Sequence, residues 1–271
     1  MKLYNFYNGA TAKRLEEILK AEIKKNSVFN FEPITNISFK EVVRKNNRFF
    51  FEKGSDTYLM FAYLKKYYTI GHNSLPKYHI CECSVKNDFT GFTYSSTMPV
   101  EVYCRDQRKM LEELKNLELC KICIRESQKG IYKYLAKGKP WYDYVIEYAS
   151  SNSEFGMSVN KESGYVKMWK QISEAVREKE NFICRNCNIQ LKPDRVNLEV
   201  HHNDYNKSNN HPDNLIPLCV LCHATVDNQH MSNYKTGTNS LKVDLFIKNY
   251  NKYITDKNKR ALMKWNSNTI E

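Results

Sequence analysis

Glycine and proline are scarce in this chain, 9 and 7 of 271 residues, which excludes a collagen-like rod or a low-complexity polymer. Long apolar runs are missing too. The longest, TYLMFAYL at 57–64, falls far short of the ~20 residues a helical membrane span needs, and no lipid-anchor motif adjoins a basic stretch. The opening MKLYNFYNGATAKRLEE lacks the apolar core of a secretory signal. No repeat of the roughly 20 to 50 residues that build a solenoid is visible. Together these absences lead us to expect a cytoplasmic protein with no membrane partner. Acidic side chains are the other shortfall: 30 against 42 Lys and Arg leave a formal charge of +12. A polyanion, nucleic acid before membrane, is the natural partner of such a chain, although charge of this size also serves solubility alone. The length suffices for one or two domains with real cores.

Cysteine, by contrast, is plentiful. Nine of them in a reducing compartment read as metal chemistry rather than a disulfide framework. Cys184-x2-Cys187 and Cys219-x2-Cys222, with residues 188–218 between them, have the form of two zinc knuckles. Four thiolates leave Zn²⁺ no open position, so this ion would be structural and would fix the ends of the intervening segment. His79-x3-Cys83 followed by Cys120-x2-Cys123 offers a second structural zinc set, in which Cys81 could stand in for Cys83. The competing reading of that set is thiols partly buried on a strand and a helix. Cys104 has no partner motif.

Elsewhere helix and strand patterns mix, which gives an α+β fold class. Leu15, Ile18, Leu19 and Ile23 share one face of a helix over 11–25, TYLMFAYLKKYY (57–68) reads as a second, more buried helix, and RFFFE (48–52) as a strand between them. A helix is expected from Asp106 to Leu117, and another over 165–180 with Trp169, Ile172 and Val176 on one face. The polar SSNSEFGMSVNKESG (150–164) looks like a linker. The expected organisation is an α+β region over 1–76, a zinc-containing recognition region over 77–150, a linker over 151–165, a metal-bearing module over 166–240 and a basic helical tail over 241–271. Between 235 and 264, eight Lys and Arg face only Asp244 and Asp256, and Leu245, Phe246, Tyr250 and Tyr253 complete a basic amphipathic helix. Such a helix would lie along a phosphate backbone or pack on the preceding domain with a solvated charged face. Arg105, Arg108, Lys109 and the aromatics from Tyr132 to Tyr148 mark where DNA recognition is expected, though aromatics at this density more often build core than stack on bases.

Between the knuckles, VNLEVHH (196–202) alternates Val196, Leu198 and Val200 with polar residues, a strand with one buried face. Adjacent side chains on a strand point to opposite faces, so His201 and His202 cannot do the same job. NDYNKSNNHPD (203–213) consists of turn formers, and Asn214-Leu-Ile-Pro-Leu reads as a return strand whose Pro217 suits only an edge. His223 follows the second knuckle, where a helix through ATVDNQH would begin. This order, E-V-H-H, N-L-x-x-L-C and C-x-x-C-H over about 182–230, resembles the HNH, or ββα-metal, nuclease family. The resemblance implies a ββα-metal module braced by the four-cysteine zinc site. It implies His202 as general base, His201 and His223 as ligands of a catalytic divalent cation (Mg²⁺, Mn²⁺ or similar), and Asn214 as the residue that orients the loop and the base. Glu199 matches an acidic position often present in the family, its role open. Where many members carry a further His or Asn one turn past His223, this chain has Asp227, which leaves the third protein ligand open.

Those residue types suit phosphodiester hydrolysis. An imidazole, with a pKa near ~6.5, takes a proton at neutral pH, and a cation stabilises the charge that builds on phosphate and leaving oxygen. The expected function is a metal-dependent DNA endonuclease, a restriction, phage-defence or mobile-element enzyme. One HNH module cuts one strand, so double-strand cleavage would take a homodimer or two events. The alternative is a zinc-containing nucleic-acid-binding protein on an inactive HNH scaffold. Retention of His201, His202, Asn214 and His223 together favours the enzyme.

Overall fold

The computed structural model describes residues 31–87, 90–128, 140–151, 155–254 and 256–267. The helix expected over 11–25 lies outside them. The described residues divide into two compact units, one within 31–181 with 200–216, the other within 182–199 with 217–267. Helices and strands mix in each, an α+β fold. Among the described residues no helix is long and apolar enough to cross a membrane.

The first unit is built on an antiparallel sheet of β1 (Val43–Lys45), β2 (Arg48–Lys53), β3 (Asp56–Leu64), β5 (Tyr78–His79) and β6 (Phe92–Ser95). Asn46 and Asn47, both at positive φ, make the tight β1–β2 turn, since asparagine tolerates the left-handed region that a two-residue hairpin requires. β3 is the spine of the sheet. Its first half pairs with β2 (Phe49 opposite Met60) and its second half with both β5 (Ala62 opposite His79) and β6 (Ala62 opposite Tyr94). Tyr58, Met60 and Ala62 pack on one face with Phe31, Ile34, Phe49 and Tyr94.

The opposite face of that sheet meets two helices, α3 (Trp141–Ser150) and α4 (Trp169–Lys179). Phe50 packs against Tyr148, and Phe61 against Trp141 and Tyr144. These aromatics are therefore core. β3 is thus buried on both faces, which explains why its unbroken apolar run reads as a helix in sequence: periodicity cannot separate the two. From α4, Gln171 reaches into the sheet. It accepts from the Leu59 N–H and donates to the Leu59 and Ser96 carbonyls at 2.7, 2.8 and 2.8 Å. Between the helices, residues 155–165 fold into a turn in which Val159 bridges Val166 and Asn160 bonds Tyr165 and Gly164. Gly156, at φ +79°, packs where a Cβ would sit 2.6 Å from Met168 Sδ.

A smaller sheet joins β4 (Lys66–Tyr67), β7 (Tyr103–Cys104) and β8 (Lys109–Met110), the last of them within the segment expected as the 106–117 helix. The chain reverses there at Arg108, with φ +53°, and Leu111 and Lys115 bond back to Val102 and Val100. The leucines that suggest a helical stripe do not form one: Leu114 is exposed and Leu117 buried.

In the second unit, helices α5 (Val220–Ala224), α6 (Asn228–Tyr234), α7 (Gly237–Tyr250) and α8 (Asp256–Asn266) gather beside the cysteine pairs. The basic tail is part of this unit. Val243 and Phe246 are buried, Tyr250 donates to Asp194 at 2.9 Å, Lys264 to the Thr225 carbonyl at 3.0 Å, and Lys235 lies 4.3 Å over the Trp265 ring. Several of its cations are thereby committed to internal partners. Strands β9 (Leu198–His202) and β10 (Leu215–Cys219) form a two-stranded sheet.

Candidate metal centres

Cys184, Cys187, Cys219 and Cys222 come together as a buried tetrad with all four sulfurs within 4.8 Å of one another. Local backbone explains how. Asn188 at φ +64° closes the first knuckle, its N–H bonding the Cys184 carbonyl at 2.8 Å. Cys219 caps α5 and accepts from the Cys222 N–H. Arg185 N–H binds the Pro217 carbonyl at 2.9 Å, which ties one knuckle to the other. Thiolates about 2.3 Å from a tetrahedral Zn²⁺ sit about 3.8 Å apart, and Cys187 and Cys219 Sγ are 3.7 Å apart. Asn186 Nδ2 donates to Cys222 Sγ at 3.3 Å, the outer bond expected around a thiolate ligand. The donor set fits structural zinc, and the S–H groups of Cys187, Cys219 and Cys222 pull Cys184 well down toward thiolate.

The second set, in the sheet unit, is His79, Cys83, Cys120 and Cys123, also buried and within 4.8 Å of one another. Tyr78 bridges Leu119, and Cys120 N–H bonds the Tyr78 carbonyl, so β5 is pinned beside the start of α2 (Lys121–Gln128). His79 Nδ1 lies 3.2 Å from Cys83 Sγ and 3.8 Å from Cys123 Sγ. Cys83, just before the short helix α1 (Ser84–Asn87), belongs to the set, while Cys81 stands beside it as a fourth sulfur, 3.7 Å from Cys123. Both clusters could hold zinc. None of the nine cysteines is joined in a disulfide. Cys104 lies apart from both sets and accepts from Thr69 Oγ1 at 3.0 Å.

Around α5 and α6 a third arrangement appears. Glu199 is buried, and its carboxylate holds His223 Nδ1 at 2.7 Å, the Tyr234 hydroxyl and the Lys242 ammonium. Burial alone would raise its pKa, but Lys242 and His223 outweigh that and keep the carboxyl well below the usual range. His230 Nδ1 is held by Asp227 at 2.8 Å, and the His223 and His230 ring centroids are 5.0 Å apart. Asp227 also caps α6 by accepting from the His230 N–H at 2.7 Å. The expected single helix after His223 is thus broken in two, and the break swings His230 back beside His223. Sequence reasoning missed His230; the D-x-x-H spacing of a capping carboxylate and its helix-first-turn histidine was the available signal.

In the other unit, His201 and His202 end β9, both buried. The Tyr205 ring meets His201 edge-on, centroids 5.6 Å apart. His202 lies against Trp169, centroids 4.6 Å apart, and its Nε2 is 3.3 Å from Asn210 Oδ1. Asn214 binds the loop: Oδ1 accepts from the Asp204 N–H at 2.9 Å, and Nδ2 donates to Asp204 Oδ1 and the Asn209 carbonyl, both at 2.8 Å. Asn206, Asn209 and Asp204 side chains satisfy further loop groups at 2.7–2.9 Å. The density of Asn and Asp in 203–214 is therefore a substitute for regular backbone pairing.

No protein-family model matches the chain, and no solved structure does. Among curated proteins it is similar to the Zorya protein ZorE of Escherichia coli strain Crooks, 30% identical over 118 residues, which are 40% of this chain and 32% of that protein. The match thus spans less than a third of that relative's length.

Proposed function

We propose that the chain is a metal-dependent DNA endonuclease of the HNH type. The observation that carries this reading is a pair of imidazoles, His223 and His230, 5.0 Å apart and each anchored at Nδ1 by a carboxylate. Carboxylate-anchored imidazoles are what metal sites use to fix ring orientation and raise ligand basicity, and Nε2 is then the atom that binds the ion. The family resemblance gives His201 as a further ligand of that ion, and His230, beside His223, is the ligand the sequence left open. When bound, a divalent cation supplies Lewis acidity to the phosphate and the departing 3′ oxygen.

His202, pointing to the opposite face of the strand, takes the proton of the attacking water. Asn214 holds the loop that carries the base's surroundings in place. The two zinc sets are structural: the cysteine tetrad fixes both ends of the segment carrying the histidines. The net charge of +12 favours DNA as substrate, and the likeness to a Zorya protein supports a setting in phage defence, inside the cytoplasm. A single module cuts one strand, so double-strand breaks take a homodimer or two events. The test is plasmid relaxation under Mg²⁺, Mn²⁺, Co²⁺ and Ni²⁺. His202→Ala should lose cleavage by ~10²-fold or more while DNA affinity and zinc content stay at the wild-type level. Cleavage at the wild-type rate by that variant would remove the base assignment.

A further inference from the structure

We infer that Asn210 sets the tautomer of His202 and so decides which ring nitrogen acts as the base; the catalytic consequence rests on the nuclease reading, the geometry does not. His202 Nε2 lies 3.3 Å from Asn210 Oδ1, and both side chains are buried. An amide oxygen only accepts, so Nε2 carries the hydrogen. The amide itself has one orientation, because its Nδ2 donates to the Ser208 carbonyl at 3.1 Å. Turning it over would set oxygen against oxygen on one side and lose the bond. With the hydrogen on Nε2, Nδ1 carries the lone pair that receives the water's proton.

The ring plane is held as well as the tautomer. Trp169 lies 32° from the plane of the imidazole at a centroid distance of 4.6 Å. Tyr165 stacks on Trp169 at 4.9 Å and 12°, and Lys207 covers the Tyr165 ring at 4.5 Å while donating to the Ser163 carbonyl at 3.1 Å. Asn210 belongs to the same polar loop that Asn214 pins through Asp204 and Asn209. The work of the loop is thereby divided: Asn214 holds its backbone, and Asn210 reaches the ring. Asn210 is a positioning residue, since it acts on substrate only through His202.

The test uses the full chain with ¹⁵N-labelled histidine. Two-bond ¹H–¹⁵N correlation at an alkaline pH reads which ring nitrogen of His202 is protonated, with His202→Gln supplying the assignment. The wild type should show the Nε2–H tautomer, and Asn210→Ala a mixture. In plasmid cleavage, Asn210→Ala should lower kcat by ~10²-fold or more, as misassigned imidazole tautomers do in hydrolases, with KM nearly unchanged. Asn210→Asp keeps the acceptor toward Nε2 and should restore the Nε2–H tautomer, while it loses the bond to the Ser208 carbonyl. A wild-type ring protonated at Nδ1, or a folded Asn210→Ala protein cutting at the wild-type rate, would overturn the inference. A wild type that cuts no DNA defeats the nuclease reading alone, and the tautomer of its ring still decides this one.

Discussion

At the scale of single residues, Glu199 shows how one buried carboxylate organises a centre. It is held by Lys242 and Tyr234 and in turn holds His223. A neutral amide there would weaken the anchor on His223 and strand the Lys242 ammonium. We expect Glu199→Gln to lower divalent-ion affinity by ~10- to 100-fold, read by calorimetric titration with Mn²⁺ after zinc has been loaded. Unchanged affinity in a folded protein would show that the carboxylate does not act on the ion site. The cysteine pairs and the histidine doublet are legible in sequence because their spacing is short and local. His230 is not, because its place depends on where the helix breaks. Asp227 stands where the family resemblance leads one to look for a ligand, and it serves instead as the cap of α6 and the anchor of His230. Asn210 is hidden for a similar reason: among many asparagines in 203–214 only the folded loop distinguishes the one that meets His202.

Among the elements, the strand β3 and the helix α4 are joined by a polar clasp in an otherwise apolar layer. Gln171 satisfies the Leu59 N–H and two carbonyls, all in buried surroundings. Gln171→Leu should cost about 1–3 kcal/mol, the penalty for an unmet buried donor and acceptors, seen as a lower urea midpoint with an unchanged slope. An unchanged midpoint would mean that water or rearrangement replaces the clasp. The helix itself is legible, since Trp169, Ile172 and Val176 recur at helical spacing, and so are β2 and the β9–β10 hairpin. The errors fall where periodicity carries no information. β3 is apolar on both faces, and the 106–117 segment has leucines at helical spacing but a left-handed Arg108 that ends any helix. Strand pairing to Val100 and Val102 then takes over. Tertiary partners, absent from a local window, decide both cases.

For the molecule as a whole, the proposed function assigns stability and chemistry to different metals. Structural zinc contributes folding free energy outright, so chelation or Cys184→Ser should unfold the unit of 182–199 and 217–267, measured as a loss of its cooperative melting transition together with one bound zinc. A full zinc complement and an unaltered melting curve would contradict the brace. Part of the excess positive charge is committed internally, because Lys235, Lys242 and Lys264 of the tail turn inward; composition shows the sum of the charges, and only folding shows where they go. The central claim is that the imidazole cluster holds one reactive ion distinct from the structural zincs. Plasmid nicking by wild type and by His223→Ala, with zinc per chain measured by elemental analysis on the same samples, tests it most directly. The account predicts that the wild type nicks in the presence of an added divalent ion, and that His223→Ala keeps its zinc and loses nicking by ~10²-fold or more. Nicking at the wild-type rate by a zinc-replete His223→Ala protein would contradict it.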